Sequence, residues 1–385
     1  MTRSHAQTRV TLRCSLAFLV AAALAAGWGA SRWLVVHLAL AGGVVLAISA
    51  VSLMLAVTWS AAPAPPDRAV LAQRLLVAAG AAGVGIGRSA DAPTAMVGAA
   101  GALYVTGLLT LAVLLVVTIR RGTERRFDAA VAGYVAALSA GVIGVGVGIA
   151  IATGGATAGL RSAHVTLNLL GLIGLVVAAT MPYFAATVGR SKMSRWARSG
   201  VIGVVLSIMV GGLALAAGAL GGGAPELAAW GFGAYVAGIG GVLVVLPRPT
   251  RRQLRWAGPR LVALWAGALW WAVAVAATGA EAADGHDVLA GRWLVVLVLG
   301  GYLQILWGSL AYVLPMLRGG GPDHLAAGFA MTRSWVGFAA ANLTALAAAT
   351  AAPDRVTWFA GAVWVLDTAW RLGRVGTRRT ERAST

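Results

Sequence analysis

Two histidines, His37 and His164, are embedded in long apolar stretches of this 385-residue chain. Polar side chains are expensive in lipid, so each is a functional candidate by default. His37 lies five residues inward of Arg32 and His164 three inward of Arg161. At 1.5 Å per helical residue, both fall at comparable depth in the outer part of a membrane. Imidazole is a ligand for haem iron and for copper, and two histidines from separate helices could face one interior site. Asn168, four residues after His164, shares its helical face and could hold the imidazole or a water. The competing reading is an interfacial histidine hydrogen-bonded to a backbone carbonyl, at each position separately.

Other polar residues carry weaker signals. Tyr302, Gln304 and Tyr312 occupy the tenth apolar run, and Tyr183 adjoins Pro182 in the sixth. Pro182 and Pro315 free carbonyls four residues earlier and are expected to kink their helices. Asp367 and Arg371, spaced i,i+4, read as a local ion pair rather than a proton relay. The loop Glu281–Asp287, EAADGHD, could hold a divalent cation weakly, and an ordinary solvated loop is the better reading. His324 and His5 fall on the opposite side from the outer histidines. The single Cys14 excludes an intrachain disulfide. GVGIG at Gly83–Gly87 and GVGVG at Gly144–Gly148 follow no strand and lie in apolar runs, so they read as helix packing rather than nucleotide loops. No hydrolytic triad, metalloprotease helix or P-loop is present.

The elements that position these residues follow from composition. The chain is 59% hydrophobic and 11% charged, whereas a soluble domain carries about a quarter charged residues. Apolar blocks near twenty residues long are solvated by lipid. Twelve such runs are predicted: Leu12–Ala30, Trp33–Ser60, Ala69–Gly87, Ala95–Ile119, Ala129–Thr153, Ala163–Val188, Ala197–Gly221, Leu227–Leu246, Pro259–Ala277, Arg292–Leu317, Met331–Ala352 and Val356–Arg371. The fold class is therefore all-α, a polytopic membrane bundle in a single transmembrane domain over residues 1–385. The first run resembles a signal peptide, but bulky Trp28 stands where a small residue is wanted before Ala30, so an uncleaved first helix is expected.

Twelve spans alternate the linkers between two sides. Of the 30 Lys and Arg residues, only Arg32, Arg88, Arg161, Arg292 and Arg355 then fall on the side away from the termini. Six carboxylates share that side: Asp91, Glu226, Glu281, Asp284, Asp287 and Asp354. This asymmetry predicts an inner-membrane protein with both termini cytoplasmic. The net charge of +18 is then a topology signal with attraction to anionic lipids at the cytoplasmic face, and not a nucleic-acid site.

A threefold repeat is also expected. Spans two, six and ten begin alike, as Arg32–Trp33 with His37, Arg161 with His164, and Arg292–Trp293. Their spacing is close to a third of the chain, which suggests pseudo-repeats 1–128, 129–257 and 258–385 of four helices each.

The run Ala163–Lys192, AHVTLNLLGLIGLVVAATMPYFAATVGRSK, resembles the membrane segment of actinobacterial proteins related to copper-containing nitrite reductases and multicopper oxidases, where a histidine pair precedes LNLLG. Gln304–Pro322, QILWGSLAYVLPMLRGGGP, is similar to a later helix of those proteins, and HLALAGG from His37 to their early histidine-bearing helix. Those proteins in turn look like distant relatives of haem-copper oxidase subunit I and of NnrS-type membrane proteins. The resemblance implies a twelve-helix fold with threefold pseudosymmetry, His37 matching a haem ligand and His164 a copper ligand. Thr166 replaces the second histidine of the pair, span seven has no His–His pair, and span ten has no His-x-His. A binuclear centre and reduction of oxygen or nitric oxide are therefore not expected.

The function expected is a non-enzymatic membrane protein of degenerate haem-copper-oxidase-like fold. It would bind haem or copper at His37 and His164, with Asn168 in support, and partner a periplasmic copper enzyme. A twelve-helix secondary transporter and a non-catalytic structural membrane subunit are the alternatives. The transporter predicts a repeat near half the chain and a charged site at the midplane, and the sequence has neither.

Overall fold

Backbone in hydrocarbon must satisfy its polar groups internally, and an apolar run does this by coiling into helix. The computed structural model describes residues 3–377 except Ala156, Ser199, Gly319 and Gly320. Its described residues are helical, with no strand among them. Among the described residues, ten helices are long and apolar enough to cross a membrane: α1 Arg3–Gly27, α2 Arg32–Ser60, α3 Asp67–Ser89, α4 Thr94–Arg121, α5 Asp128–Ala152, α6 Ala158–Gly189, α7 Val201–Gly221, α8 Pro225–Val245, α9 Pro259–Ala283 and α10 Gly291–Arg318.

Two further helices, α11 Trp335–Ala349 and α12 Asp354–Thr377, stand where the eleventh and twelfth spans were expected. α11 has 15 residues, because Ser334 caps it by accepting from the Gly337 N–H at 2.9 Å and the preceding stretch folds as a separate helix, Gly321–Met331. At 1.5 Å per residue it is about 22 Å long, short of the ~30 Å hydrocarbon core. α12 carries Asp354, Arg355, Asp367, Arg371 and Arg374. Among the described residues ten helices thus meet a membrane's length and apolarity, and α11 and α12 occupy the places of the last two expected spans.

The chain divides into two compact units, Met1–Ala179 with Leu213–Ala228, and Thr180–Gly212 with Ala229–Thr385. In the first, the buried face of α1 is mostly hydroxyl-bearing: Ser4, Thr8, Thr11 and Ser15, with Ala22. Ser15 donates to the Gly43 carbonyl of α2 at 2.7 Å. α3 and α4 approach closely through glycine, where no hydrophobic drive exists to hold helices together. A Cβ on Gly80 would lie 2.6 Å from the Tyr104 nitrogen, and one on Gly107 would lie 2.9 Å from that of Val77. In the second unit, Trp271 of α9 is fully buried between Tyr235 and Tyr302, with ring centroids at 5.9 and 5.8 Å. Pro182 and Pro315 lie inside α6 and α10 without ending them.

α2, α6 and α10 stand apart. Each widens into a π-helical segment: Leu38–Val44, Leu167–Gly174 and Val296–Leu303. Each segment begins 129 residues after the one before. π turns are rare, and they concentrate at functional positions. Gly42, Gly171 and Gly300 hold the same place in the three segments. A Cβ there would run into the Phe18 ring at Gly42, and would lie 2.6 Å from Ala140 Cβ at Gly171 and 2.6 Å from Ala345 Cβ at Gly300. These three are also the most buried of the ten spans, with 61, 83 and 56% of their apolar stretch enclosed, against 50% or less in the others.

Candidate metal centre

Side-chain caps fix where α2 and α6 begin, and hence how deep their histidines sit. Ser31 Oγ accepts from the Leu34 N–H at 3.4 Å, and Thr157 Oγ1 accepts from the Leu160 N–H at 3.1 Å. One turn or more further in, His37 and His164 both belong to the first unit, and both are partly buried.

Their ring centroids are 6.3 Å apart and the planes are tilted by only 12°. His37 Nδ1 lies 2.8 Å from the Trp33 carbonyl one turn back, and its ring stacks on the Trp33 indole with centroids at 4.0 Å. His164 Nδ1 lies 2.8 Å from the Gly144 carbonyl of α5. A carbonyl only accepts, so each neutral imidazole carries its proton on Nδ1 and donates it there. Each Nε2 then keeps its lone pair. This is how protein-bound metals commonly find their histidines, with the far nitrogen tied to a carbonyl that fixes ring and tautomer. The carbonyl contacts of the simpler interfacial reading are thus present, and they leave the ligating nitrogens available.

Asn168 donates to the His164 carbonyl at 2.8 Å, and its Nδ2 passes 3.4 Å from His164 Nδ1. Because that Nδ1 already donates to Gly144, Asn168 holds the backbone beside the ring and positions it. The two glycines of α5 read from sequence as general packing have a definite task. A Cβ on Gly148 would lie 2.8 Å from His164 Cε1, and one on Gly144 would lie 2.6 Å from Asn168 Nδ2. Their i,i+4 spacing was visible in GVGVG, but the helix they faced was not.

The remaining candidates fall elsewhere. Thr166, where the resembled family has a histidine, is fully buried with an unpartnered Oγ1. In the register of the π segments, as in that of Arg32 and Arg161, His37 aligns with Thr166, two residues beyond His164. Gln304 is fully buried in the second unit with both amide atoms unpartnered. Asp367 and Arg371 form the expected pair at 2.9 Å.

No family model and no curated protein matches the chain. Among the described residues no group of three or more His, Cys, Asp or Glu could hold a metal, so an ion at the paired histidines has two imidazoles as its protein ligands. Two neutral nitrogen donors would suit copper or a haem iron, and they supply no negative charge.

Proposed function

We propose that this multi-helix membrane protein holds one haem iron or copper ion between His37 and His164. It would lie near the outer face of the inner membrane, on a reduced haem-copper-oxidase-like bundle with three four-helix repeats. The observation that carries this reading is the pair of near-parallel imidazoles at 6.3 Å with both Nδ1 atoms committed to carbonyls. An ion bonded at about 2 Å to a nitrogen of each ring would set two rings on its opposite sides roughly 6 Å apart. His37 and His164 would be the ligands, and Asn168 with Gly144 would hold the His164 ring in place. The bound group would supply electron storage or metal transfer, and the chain would supply a pair of imidazole nitrogens. The 129-residue period of the π segments, with glycine repeated at Gly42, Gly171 and Gly300, supports the threefold reading. With only two ligands the chain is a partner rather than a catalyst, and a periplasmic copper enzyme is the partner that the resemblance favours.

Metal analysis and a visible spectrum of the detergent-purified protein test the proposal. One copper or one haem per chain is expected, and its loss in the His37→Ala/His164→Ala double variant. A wild-type protein with neither copper nor a Soret band overturns it. That result would favour the structural-subunit reading, which the stacking of His37 on Trp33 also suits.

A further inference from the structure

The second unit contains a buried positive charge that the histidine site does not involve. Arg260, in the first turn of α9, is 1% exposed. Its Nη2 donates to the Trp256 carbonyl at 3.3 Å, while Nε and Nη1 are buried without a partner. The guanidinium carbon stands 4.6 Å from the centre of the Trp256 ring and 4.4 Å from that of Phe329. Arg190 lies over the same Trp256 ring at 4.0 Å. The two guanidinium carbons are therefore within about 9 Å of each other, a range over which like charges repel in a poorly screened interior.

Arg333 is the third cation. It donates to the Arg255 carbonyl and crosses Gly258, whose φ of +60° and close contact with the Arg333 Nε, 2.9 Å from where a Cβ would be, leave room for no other residue type. Arg190 and Arg333 are exposed and Arg260 is enclosed, so the cluster runs from a rim to a buried floor. The charged and titratable groups acting on Arg260 are Arg333, Arg190 and Tyr312, with no carboxylate among them. An uncompensated guanidinium in an enclosed setting is strongly unfavourable, and orphaned N–H donors add to the cost.

We propose that Arg190, Arg260 and Arg333 form a binding site for a phosphate group, with Arg260 donating to it from Nε and Nη1. Guanidinium forks match tetrahedral oxyanions in geometry and charge. The phosphate comes either from an anionic lipid headgroup or from a soluble phosphorylated compound. The site stands independently of the histidine pair.

The test uses the full-length protein in a neutral maltoside detergent. Its thermal midpoint is followed on adding sodium phosphate against sodium chloride at equal ionic strength, and phosphatidylglycerol against phosphatidylcholine. Native mass spectrometry counts the lipid retained. The wild type is expected to gain stability with at least one of the two phosphate sources. A response to inorganic phosphate identifies a soluble ligand, and a response to phosphatidylglycerol alone identifies the headgroup. In Arg260→Met the response should vanish without any fall in the anion-free midpoint, since that change removes the unpaired charge. In Arg190→Gln/Arg333→Gln the half-saturating concentration should rise about tenfold or more, the loss of charge-assisted hydrogen bonds. No response in the wild type, or an undiminished one in the double variant, overturns the proposal. The double variant also decides the matter if Arg260→Met fails to fold.

Discussion

An imidazole in hydrocarbon has two nitrogens to satisfy, and in His37 and His164 the same one is satisfied each time. The carbonyls of Trp33 and Gly144 take the Nδ1 protons, so the pair presents two matched Nε2 lone pairs. The arrangement depends on the absence of a methyl group in α5. Gly148→Ala would push the His164 ring from its place, and overpacking of this kind costs about 1–3 kcal/mol. The expected result is a folded but less stable protein in which the copper or haem binding proposed above is weakened about tenfold or more, as outer-shell changes typically do, measured by metal analysis and the visible spectrum. His286→Ala, in a loop outside the site, should leave both readouts unchanged. The two histidines were legible because imidazole in an apolar run is conspicuous. The roles of Gly144 and Gly148 were not, because a glycine-rich helix looks alike on every face until its neighbour is known.

At the scale of the helix, the π segments decide how the spans pack. An added residue per turn opens the backbone, and neighbouring side chains use the freed carbonyls: Ser15 donates to Gly43 and Tyr104 to Ala41, at 2.7 and 2.9 Å. Glycine at the fifth position of each segment lets another helix come against it. Gly42→Ala, Gly171→Ala and Gly300→Ala should therefore each lower stability by about 1–3 kcal/mol in thermal or denaturant unfolding. Gly218→Ala, in α7 with nothing within 4 Å, should be neutral or raise stability by up to about 1 kcal/mol. Ser15→Ala should cost on the order of 0.6 kcal/mol, the average for a hydrogen bond between membrane helices. Hydropathy located the helices but not all their ends, and α1 begins at Arg3, nine residues before the apolar run does. It carries no trace of i→i+5 bonding, so the π segments became visible only in three dimensions. Their starts are 129 residues apart, close to a third of the chain.

For the whole molecule the open quantity is the path of the chain across the bilayer. Among the described residues ten helices satisfy the length and apolarity of a membrane span, followed by the short α11 and the more charged α12. The excess of Lys and Arg on alternate linkers predicts cytoplasmic termini. The single native cysteine makes this testable. In a Cys14→Ser background, Gly285→Cys should react with an impermeant maleimide on intact cells, and Glu124→Cys only after lysis. The reverse pattern would invert the proposed orientation and place His37 and His164 near the cytoplasm. Charge was informative here because topology is written in the linkers. Hydropathy alone does not mark the short α11, since Arg333 is the only charge in Met331–Ala352 and the helix boundary is set by the cap at Ser334.

The hydroxyl face of α1 has a consequence for handling the protein. Ser4, Thr8, Thr11 and Ser15 point inward, while Leu16, Val20 and Leu24 are about half exposed. Relative to a water-soluble helix it is built inside out, so the residues that choose the solvent are not those that choose the neighbours. Recoding the outer row alone would change what surrounds α1 and leave its grip on α2 as it is.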